Sequence, residues 1–318
     1  MNDAGTDTES TERPRGGGTG ALRGQPAVAQ PVALLPPPPL DERQLRADSA
    51  VVAGFGRLEA LVPAAEPYVC SDAKAPVLLL VPGLGMDGLC FIRQLQLGAL
   101  AHIHLFQMPN APVPGEEGLC GFARYVEEYV FERKLDQRPG GLILGGASMG
   151  GAISMLMALR GRVQVRALVL LCTYGSSRHL PLLQRVLAPL AYIVPLAFLR
   201  RCGWLLTPYL PHNNITRAEA RWLAYPGIKR TLSYYGYAVG ALARLELIER
   251  VRQLSLPTLI VHGAADNVLP PAAAVELQRS IPGASLVLVP NARHAFFFRH
   301  YEQVNPAIAS FIADVRGK

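Results

Sequence analysis

Several features that define particular classes of protein are missing from this sequence of 318 residues. Its five cysteines are widely spaced and include no C-x-x-C pair, so they predict neither a zinc site nor a redox pair. The basic residues are nearly all arginine and give a net charge of +7, but they form no dense run and no nucleic-acid-binding motif. We therefore expect reduced thiols, no metal, no organic cofactor and no nucleic-acid partner.

Long hydrophobic runs are also scarce. The longest apolar stretch, residues 186–199, contains Pro189 and Pro195 and is shorter than the roughly 20 residues that span a bilayer. The sequence starts with MNDAGTDTES, which is polar and acidic, whereas a secretory signal starts with basic and then apolar residues. We expect no transmembrane helix and a cytoplasmic location.

Composition divides the sequence into three parts. Residues 1–45 are rich in glycine and proline and include a tetraproline, which predicts a disordered tail. Residues 46–318 are predicted to form one α/β domain, because from about residue 74 strand-like and helical patterns alternate. Such alternation is typical of a mostly parallel sheet flanked by helices. Residues 175–254 interrupt it with apolar, arginine-rich helical patterns, which predict an all-helical lid over the carboxyl ends of the strands.

The individual elements follow from hydrophobic periodicity and from the positions of glycine and proline. The predicted strands are residues 75–81, 102–107, 142–147, 166–172, 257–261 and 285–289. The predicted helices outside the lid are residues 87–97, 119–135, 149–160, 271–279 and 301–315.

One serine lies where a predicted strand turns directly into a helix, in Gly146-Ala147-Ser148-Met149-Gly150. Glycines on both sides are typical of a turn whose neighbouring backbones approach too closely for side chains. Such a turn exposes the serine Oγ and places a helix N-terminus beside it. Ser148 is therefore a candidate nucleophile, and the alternative is a serine that only caps the helix.

A serine nucleophile needs a histidine to take its proton and a carboxylate to orient that histidine. Asp266 follows the predicted strand 257–261 and His294 follows strand 285–289, so both lie, like Ser148, just beyond the carboxyl end of a strand. The alternatives are an aspartate that caps the helix after Pro270 and a histidine in a surface loop. His262, at the end of its own strand, is expected to be structural.

The order Ser148, Asp266, His294 is that of the α/β-hydrolase fold. From about residue 74 to its end, the chain resembles that superfamily in the Gly146-x-Ser148-x-Gly150 turn, in the segment His262-Gly263-x-x-Asp266 and in the histidine loop before the last helix. The resemblance implies a Ser-His-Asp triad with Ser148 as nucleophile, His294 as general base and acid, and Asp266 as its orienting group.

The resemblance also implies a carboxylesterase or lipase-like serine hydrolase that cleaves a small or medium-sized apolar ester through an acyl-enzyme. Other members of such a fold are thioesterases, acyltransferases and carbon–carbon bond hydrolases, and these remain alternatives. An alternative of another class is a binding protein without catalytic activity.

The loop after the first strand, residues 82–88, looks like the oxyanion loop of the superfamily. Many members carry His-Gly where this chain has Pro82-Gly83, but the stabilising groups are backbone N–H donors. By position, these would be the N–H groups of Leu84 and Met149.

The same glycines also match the dinucleotide-binding pattern G-x-G-x-x-G. A nucleotide-binding protein would carry an acidic residue at the end of the next strand, to bind the ribose hydroxyls. This chain has Gln107 and Asn110 there, so the pattern does not favour a nucleotide site.

The predicted lid carries the remaining information about partners. Its apolar and aromatic composition favours a small-molecule substrate with an apolar acyl or aryl group. Arg200 and Arg201 directly follow the apolar stretch 186–199, a pattern that fits peripheral contact with a membrane. The simpler interpretation, a solvated helix face, is favoured over this one. The sequence does not predict an oligomeric state.

Overall fold

The structure of the protein is a computed structural model, which describes residues 70–180 and 230–317. The predicted tail and residues 181–229 of the predicted lid lie outside the described residues.

Six strands form one parallel sheet in the described part of the chain. Their spatial order is β2-β1-β3-β4-β5-β6, and every neighbouring pair is parallel. The strands are β1 Val77–Val81, β2 His102–Leu105, β3 Leu142–Ala147, β4 Val165–Leu171, β5 Thr258–Gly263 and β6 Ser285–Val289. All six carboxyl ends therefore lie at one edge of the sheet.

The helices connect these strands and cover both faces of the sheet. The α-helices are α1 Cys120–Arg133, α2 Met149–Arg160, α3 Leu232–Ala243, α4 Ile248–Val251, α5 Pro271–Ser280 and α6 Tyr301–Arg316. Short 3₁₀ helices cover Leu135–Gln137, Ser177–His179 and Phe296–Phe298, and a longer one covers Gly88–Ala99. Each predicted strand and helix of the described part is present, with boundaries within about two residues of those predicted.

One predicted helix differs in type, since Gly88–Ala99 is a 3₁₀ helix that is interrupted at Phe91. Close packing accounts for this geometry. A Cβ atom at Gly88 would lie only 2.9 Å from the Leu105 side chain on β2. The Phe91 ring also stacks on Phe297, with 4.9 Å between the centroids. Hydrophobic periodicity predicts a helix here but does not reveal contacts of this kind.

Alternate residues of the strands face two separate cores, as the two-residue period of a strand requires. Leu79 and Leu144 pack in the core beneath α1, α2 and α5, whereas Leu78 and Ile143 pack in the core beneath the long 3₁₀ helix and α6. Because both faces are covered, the central strands are apolar throughout. The sheet is thus a rigid support for the loops at its carboxyl edge.

A buried carboxylate joins α1 to the end of α2. Glu127 has no exposed surface, and its Oε1 accepts a hydrogen bond of 2.9 Å from Nε of Arg160. Nη1 of Arg162 lies 3.2 Å from the other oxygen. A buried charge needs such partners, because its removal from water is unfavourable.

We expect Glu127→Gln to destabilise the protein, since the amide leaves two arginines without their shared counter-charge. The expected loss is about 2 kcal/mol in the free energy of unfolding, measured by urea denaturation. Glu132→Gln is the matched control on the same helix, because the Glu132 side chain is 72% exposed. Equal stability of the two variants would contradict a structural role for the buried carboxylate.

Candidate active site

The turn at Ser148 has a backbone conformation that residues with side chains rarely adopt. Ser148 has φ 52° and ψ −117°. A Cβ atom at Gly146 would lie 2.4 Å from the backbone of Gly150, and one at Gly150 would lie 2.0 Å from the carbonyl oxygen of Val81. Both glycines are therefore required by close backbone contact. The Ser148 side chain makes no capping hydrogen bond to α2, so the capping alternative does not describe it.

Hydrogen bonds hold the strained backbone of Ser148 in place. Its N–H donates to the carbonyl oxygen of Leu171 at 2.9 Å. Its own carbonyl oxygen accepts from the Thr173 hydroxyl at 2.7 Å and from the N–H groups of Gly151 and Ala152. Thr173 is a buried residue that the sequence analysis did not single out, because nothing near it in sequence indicates this contact.

The carboxylate of Asp266 is buried and accepts hydrogen bonds on both oxygens. Oδ1 accepts from the N–H groups of Val268 and Leu269, each at 2.9 Å. Oδ2 lies 2.8 Å from Nδ1 of His294 and 3.3 Å from Nε2 of His262. Burial raises the pKa of Asp266, but the hydrogen bond and charge of His294, with smaller contributions from Leu269 and His262, lower it overall. Asp266 is thus hydrogen-bonded to a histidine and does not cap α5, at whose N-terminus no side chain forms a capping hydrogen bond.

The contact with Asp266 determines the state of the His294 ring. An ionised carboxylate can only accept, so Nδ1 of His294 carries the proton and the lone pair of the neutral ring is on Nε2. His262 differs, because its Nε2 donates to the carbonyl oxygen of Leu269 at 3.0 Å and burial lowers its pKa. That arrangement agrees with a structural role for His262.

The side chain of Cys172 is buried in the core that also contains Ala147, which precedes Ser148, and that Ala295, which follows His294, packs against. Burial raises the pKa of this thiol and the charge of Asp266 raises it further, whereas hydrogen bonds from the N–H groups of Ala295 and Ser148 oppose that increase. The three predicted site segments are therefore neighbours around one buried side chain, at the carboxyl ends of β3, β5 and β6.

The loop after β1 forms a tight turn against Ser148. The N–H of Met86 donates to the carbonyl oxygen of Gly83 at 3.1 Å, and Gly85, the third residue of the turn, has φ 71°, as a type II turn requires. A Cβ atom at Gly83 would lie 3.4 Å from Cβ of Ser148. In the described part of the chain, the N–H groups of Leu84 and Met149 donate to no protein acceptor.

The described end of the predicted lid contacts this loop, which the sequence analysis did not predict. The guanidinium group of Arg230 is buried and donates to the carbonyl oxygens of Met108 and Met86. The hydroxyl of Tyr234 accepts a hydrogen bond from the N–H of Gly85. The aromatic composition of this segment predicts apolar packing, but no local pattern in the sequence indicates the polar contacts of its tyrosines.

Residues 70–180 and 230–317 contain no group of three or more His, Cys, Asp or Glu side chains that could hold a metal ion. In the same ranges, no helix combines the length and the apolar character needed to cross a membrane. Residues 186–201, whose sequence fits peripheral contact with a membrane, lie outside the described part.

Comparison with known proteins agrees with this geometry. The model of a family described as the alpha/beta hydrolase family matches residues 78–307. A pimeloyl-[acyl-carrier protein] methyl ester esterase from Aeromonas hydrophila is 25% identical over 75% of this chain and 96% of its own length. A polyketide synthase from Burkholderia thailandensis is 28% identical over 78% of this chain, which spans only 12% of that protein. A thermophilic esterase from Thermogutta terrifontis has a TM-score of 0.63 at 20% identity, over 76% of this chain and 91% of its own, and shows a shared fold.

The loop that carries Leu84 also contains a carboxyl group with a shifted pKa. Asp87 is buried at the start of the long 3₁₀ helix, where its Oδ1 accepts from the N–H of Leu89 at 3.0 Å. Burial raises the pKa of Asp87 from 3.8 to about 6, although the Leu89 N–H and the charge of Arg230 oppose the increase. Between these two pH values the folded state binds more protons than the unfolded state, so this group makes stability fall as the pH rises.

We therefore expect the stability of Asp87→Asn, relative to that of the natural protein, to increase between pH 4 and pH 7. The increase should be about 3 kcal/mol, because two pKa units correspond to that free energy. Urea denaturation at several pH values measures the difference. Asp314→Asn, which removes a carboxylate from an exposed position on α6, controls for the loss of one charge. The prediction is contradicted if the free energies of unfolding of Asp87→Asn and the natural protein differ by the same amount at every pH.

Proposed function

The chain belongs to the alpha/beta hydrolase family, and on that basis we propose that it is a serine hydrolase that cleaves a carboxylic ester through an acyl-enzyme. The observation that carries this proposal is the 2.8 Å contact between His294 and the buried Asp266, beside the strained turn of Ser148. Ser148 replaces the aspartate that would be needed for dehalogenation or epoxide opening on such a fold.

In the proposed mechanism, Nε2 of His294 takes the proton of the Ser148 hydroxyl while Oγ attacks the ester carbonyl. The negative charge that develops on the carbonyl oxygen is stabilised by the N–H groups of Leu84 and Met149. His294 then donates its proton to the leaving alcohol. A water molecule, activated by the same nitrogen, hydrolyses the acyl-enzyme and restores the serine.

Asp266 contributes to both half-reactions without a change in its own protonation. Its hydrogen bond fixes the ring of His294 with Nε2 directed away from the carboxylate, and its charge stabilises the imidazolium that forms. Two backbone N–H groups on its other oxygen hold the carboxylate itself. The lowered pKa of Asp266 supports this role, because the group is then ionised throughout the neutral range.

The proposed substrate is a small or medium-sized ester with an apolar acyl or aryl group. The inner face of α3 is apolar and aromatic, with Tyr234 fully buried and Tyr235 half-buried against the same core as Leu84. Such surroundings favour an apolar ligand and exclude water from the acyl-enzyme.

We expect a fluorophosphonate probe to label Ser148 in the folded protein and to label neither Ser148→Ala nor His294→Ala. Both variants should lower kcat for p-nitrophenyl butyrate by about 10³-fold or more, since each removes a group that the reaction cannot replace. Mass spectrometry of the labelled peptide and steady-state kinetics provide the measurements. His300→Ala, six residues from His294, is the control and should be labelled normally. Absence of labelling in the natural protein would exclude the proposed function.

A second candidate is hydrolysis of an ester or thioester whose acyl group is attached to a carrier protein. It is favoured by the name of the Aeromonas relative, which acts on an acyl-carrier-protein ester, and by the net charge of +7, which would attract an acidic partner. For this second candidate the chemistry at Ser148 is the same, and the carrier protein contributes binding energy through contacts that do not involve the acyl group.

If a carrier protein contributes to binding, kcat/KM should be about tenfold or more higher for butyryl attached to an acyl carrier protein than for butyryl-pantetheine. The advantage should decrease as the salt concentration rises, because screening weakens attraction between exposed charges. Stopped-flow or chromatographic assays at two salt concentrations measure both effects. Equal kcat/KM values for the two thioesters would exclude a contribution of the carrier to thioester hydrolysis.

A further inference from the structure

Tyr234 connects the end of the predicted lid to the loop that carries Leu84. The residue lies in the first turn of α3 and is completely buried. Its hydroxyl oxygen accepts a hydrogen bond of 3.2 Å from the backbone N–H of Gly85, a residue 149 positions earlier in the chain. A buried hydroxyl is unfavourable unless it forms such a bond.

The hydrogen bond acts on the peptide group in the middle of a type II turn. Type I and type II turns differ mainly by a rotation of the central peptide plane, here the one between Leu84 and Gly85. The N–H of Gly85 belongs to that plane, so its bond to Tyr234 opposes the rotation. The N–H of Leu84 is in the adjoining peptide plane, which such a rotation leaves nearly unchanged. The bond to Tyr234 therefore acts on Leu84 by anchoring the turn as a whole against α3.

The acceptor itself is held rigidly. The ring of Tyr234 packs edge-to-face on Phe122 and on Tyr235, with centroid distances of 5.5 and 5.3 Å. The guanidinium group of Arg230 lies 5.1 Å from the ring centroid, and the Thr231 hydroxyl caps α3 by accepting from the N–H of Tyr234. Burial raises the pKa of the Tyr234 hydroxyl, so the group is protonated and neutral near pH 7.

We propose that Tyr234 is a positioning residue that holds the oxyanion loop in its working conformation through the N–H of Gly85. This inference depends on the proposed serine hydrolase mechanism, in which the N–H of Leu84 stabilises the oxyanion. A donor in that position interacts more strongly with the transition state than with the bound substrate. Loss of the Tyr234 hydroxyl therefore affects kcat, and has little effect on KM.

Tyr237 provides a matched control on the same helix. Its ring packs edge-to-face on the same Phe122, with 5.7 Å between the centroids, and its hydroxyl donates to the carbonyl oxygen of Glu116 at 2.6 Å. Tyr234→Phe and Tyr237→Phe each remove one hydroxyl from α3 and keep the aromatic packing. Only the first change removes a contact with the oxyanion loop.

The experiment measures kcat and KM for p-nitrophenyl butyrate, with the thermal unfolding temperature of each variant. We expect Tyr234→Phe to lower kcat by about tenfold and to change KM by less than about twofold. The decrease is smaller than for complete removal of an oxyanion donor, because a misdirected N–H still provides part of the stabilisation. Tyr237→Phe should keep kcat within about twofold of the natural protein.

If Tyr234→Phe does not fold, a second measurement tests the positioning role of Tyr234. Incorporation of a fluorinated tyrosine at position 234 alone preserves the hydroxyl and the shape of the ring but makes the oxygen a weaker acceptor. The expected result is a smaller decrease in kcat, in the same direction and with KM unchanged.

The outcomes distinguish this inference from the proposed function. If the natural protein neither hydrolyses esters nor reacts with the fluorophosphonate, both are overturned. If it is active and the two tyrosine variants have equal kcat, or if Tyr234→Phe raises KM without a change in kcat, the positioning role alone is overturned. An unchanged kcat with fluorinated Tyr234 would overturn it as well.

Discussion

The direct backbone contact between the serine turn and β1 is the constraint on which the rest of the site depends. Gly150 lies so close to the carbonyl oxygen of Val81 that a Cβ atom would be only 2.0 Å from it. This contact brings the first turn of α2 against the end of β1, from which the loop of residues 82–88 begins. The loop that carries Leu84 therefore lies against the serine turn, where a Cβ atom at Gly83 would be 3.4 Å from Cβ of Ser148. A bulkier residue at position 150 would separate Ser148 from the loop.

The site combines a strained conformation with polar groups that are well satisfied. Ser148 has an unfavourable φ, but its backbone N–H and carbonyl groups all have hydrogen-bonding partners. Asp266 likewise accepts hydrogen bonds from backbone and histidine donors on both oxygens. Strain of this kind persists only where the surroundings enforce it, and the buried strand β1 and the buried carboxyl half of β4, on either side of β3, provide such surroundings.

Much of this arrangement could be predicted from short segments of sequence. Each of Ser148, Asp266 and His294 follows an apolar strand, and parallel strands place their carboxyl ends at one edge, so local patterns were sufficient to predict a shared location. The partners of Thr173, Arg230 and Tyr234 are 25, 122 and 149 residues away in the chain. These contacts are bonds between a side chain and a distant backbone group, and no local pattern indicates them. The 3₁₀ geometry after Asp87 was also missed, because it results from packing against β2 and Phe297.

The attachment of α3 to the sheet domain has a consequence for the design of chimaeras. Arg230, Thr231, Tyr234 and Tyr237 all bond to backbone groups of the loops that follow β1 and β2. Although they lie inside the segment delimited as a lid by composition, these residues are attached to the sheet domain by hydrogen bonds. In a chimaera that exchanges the predicted lid with that of a relative, the junction should therefore lie before Arg230. The foreign segment is then joined to an intact α3. A junction placed at residue 254, at the compositional boundary, would remove the contacts of Arg230 and Tyr234 with the loop of residues 82–88 together with the segment being exchanged.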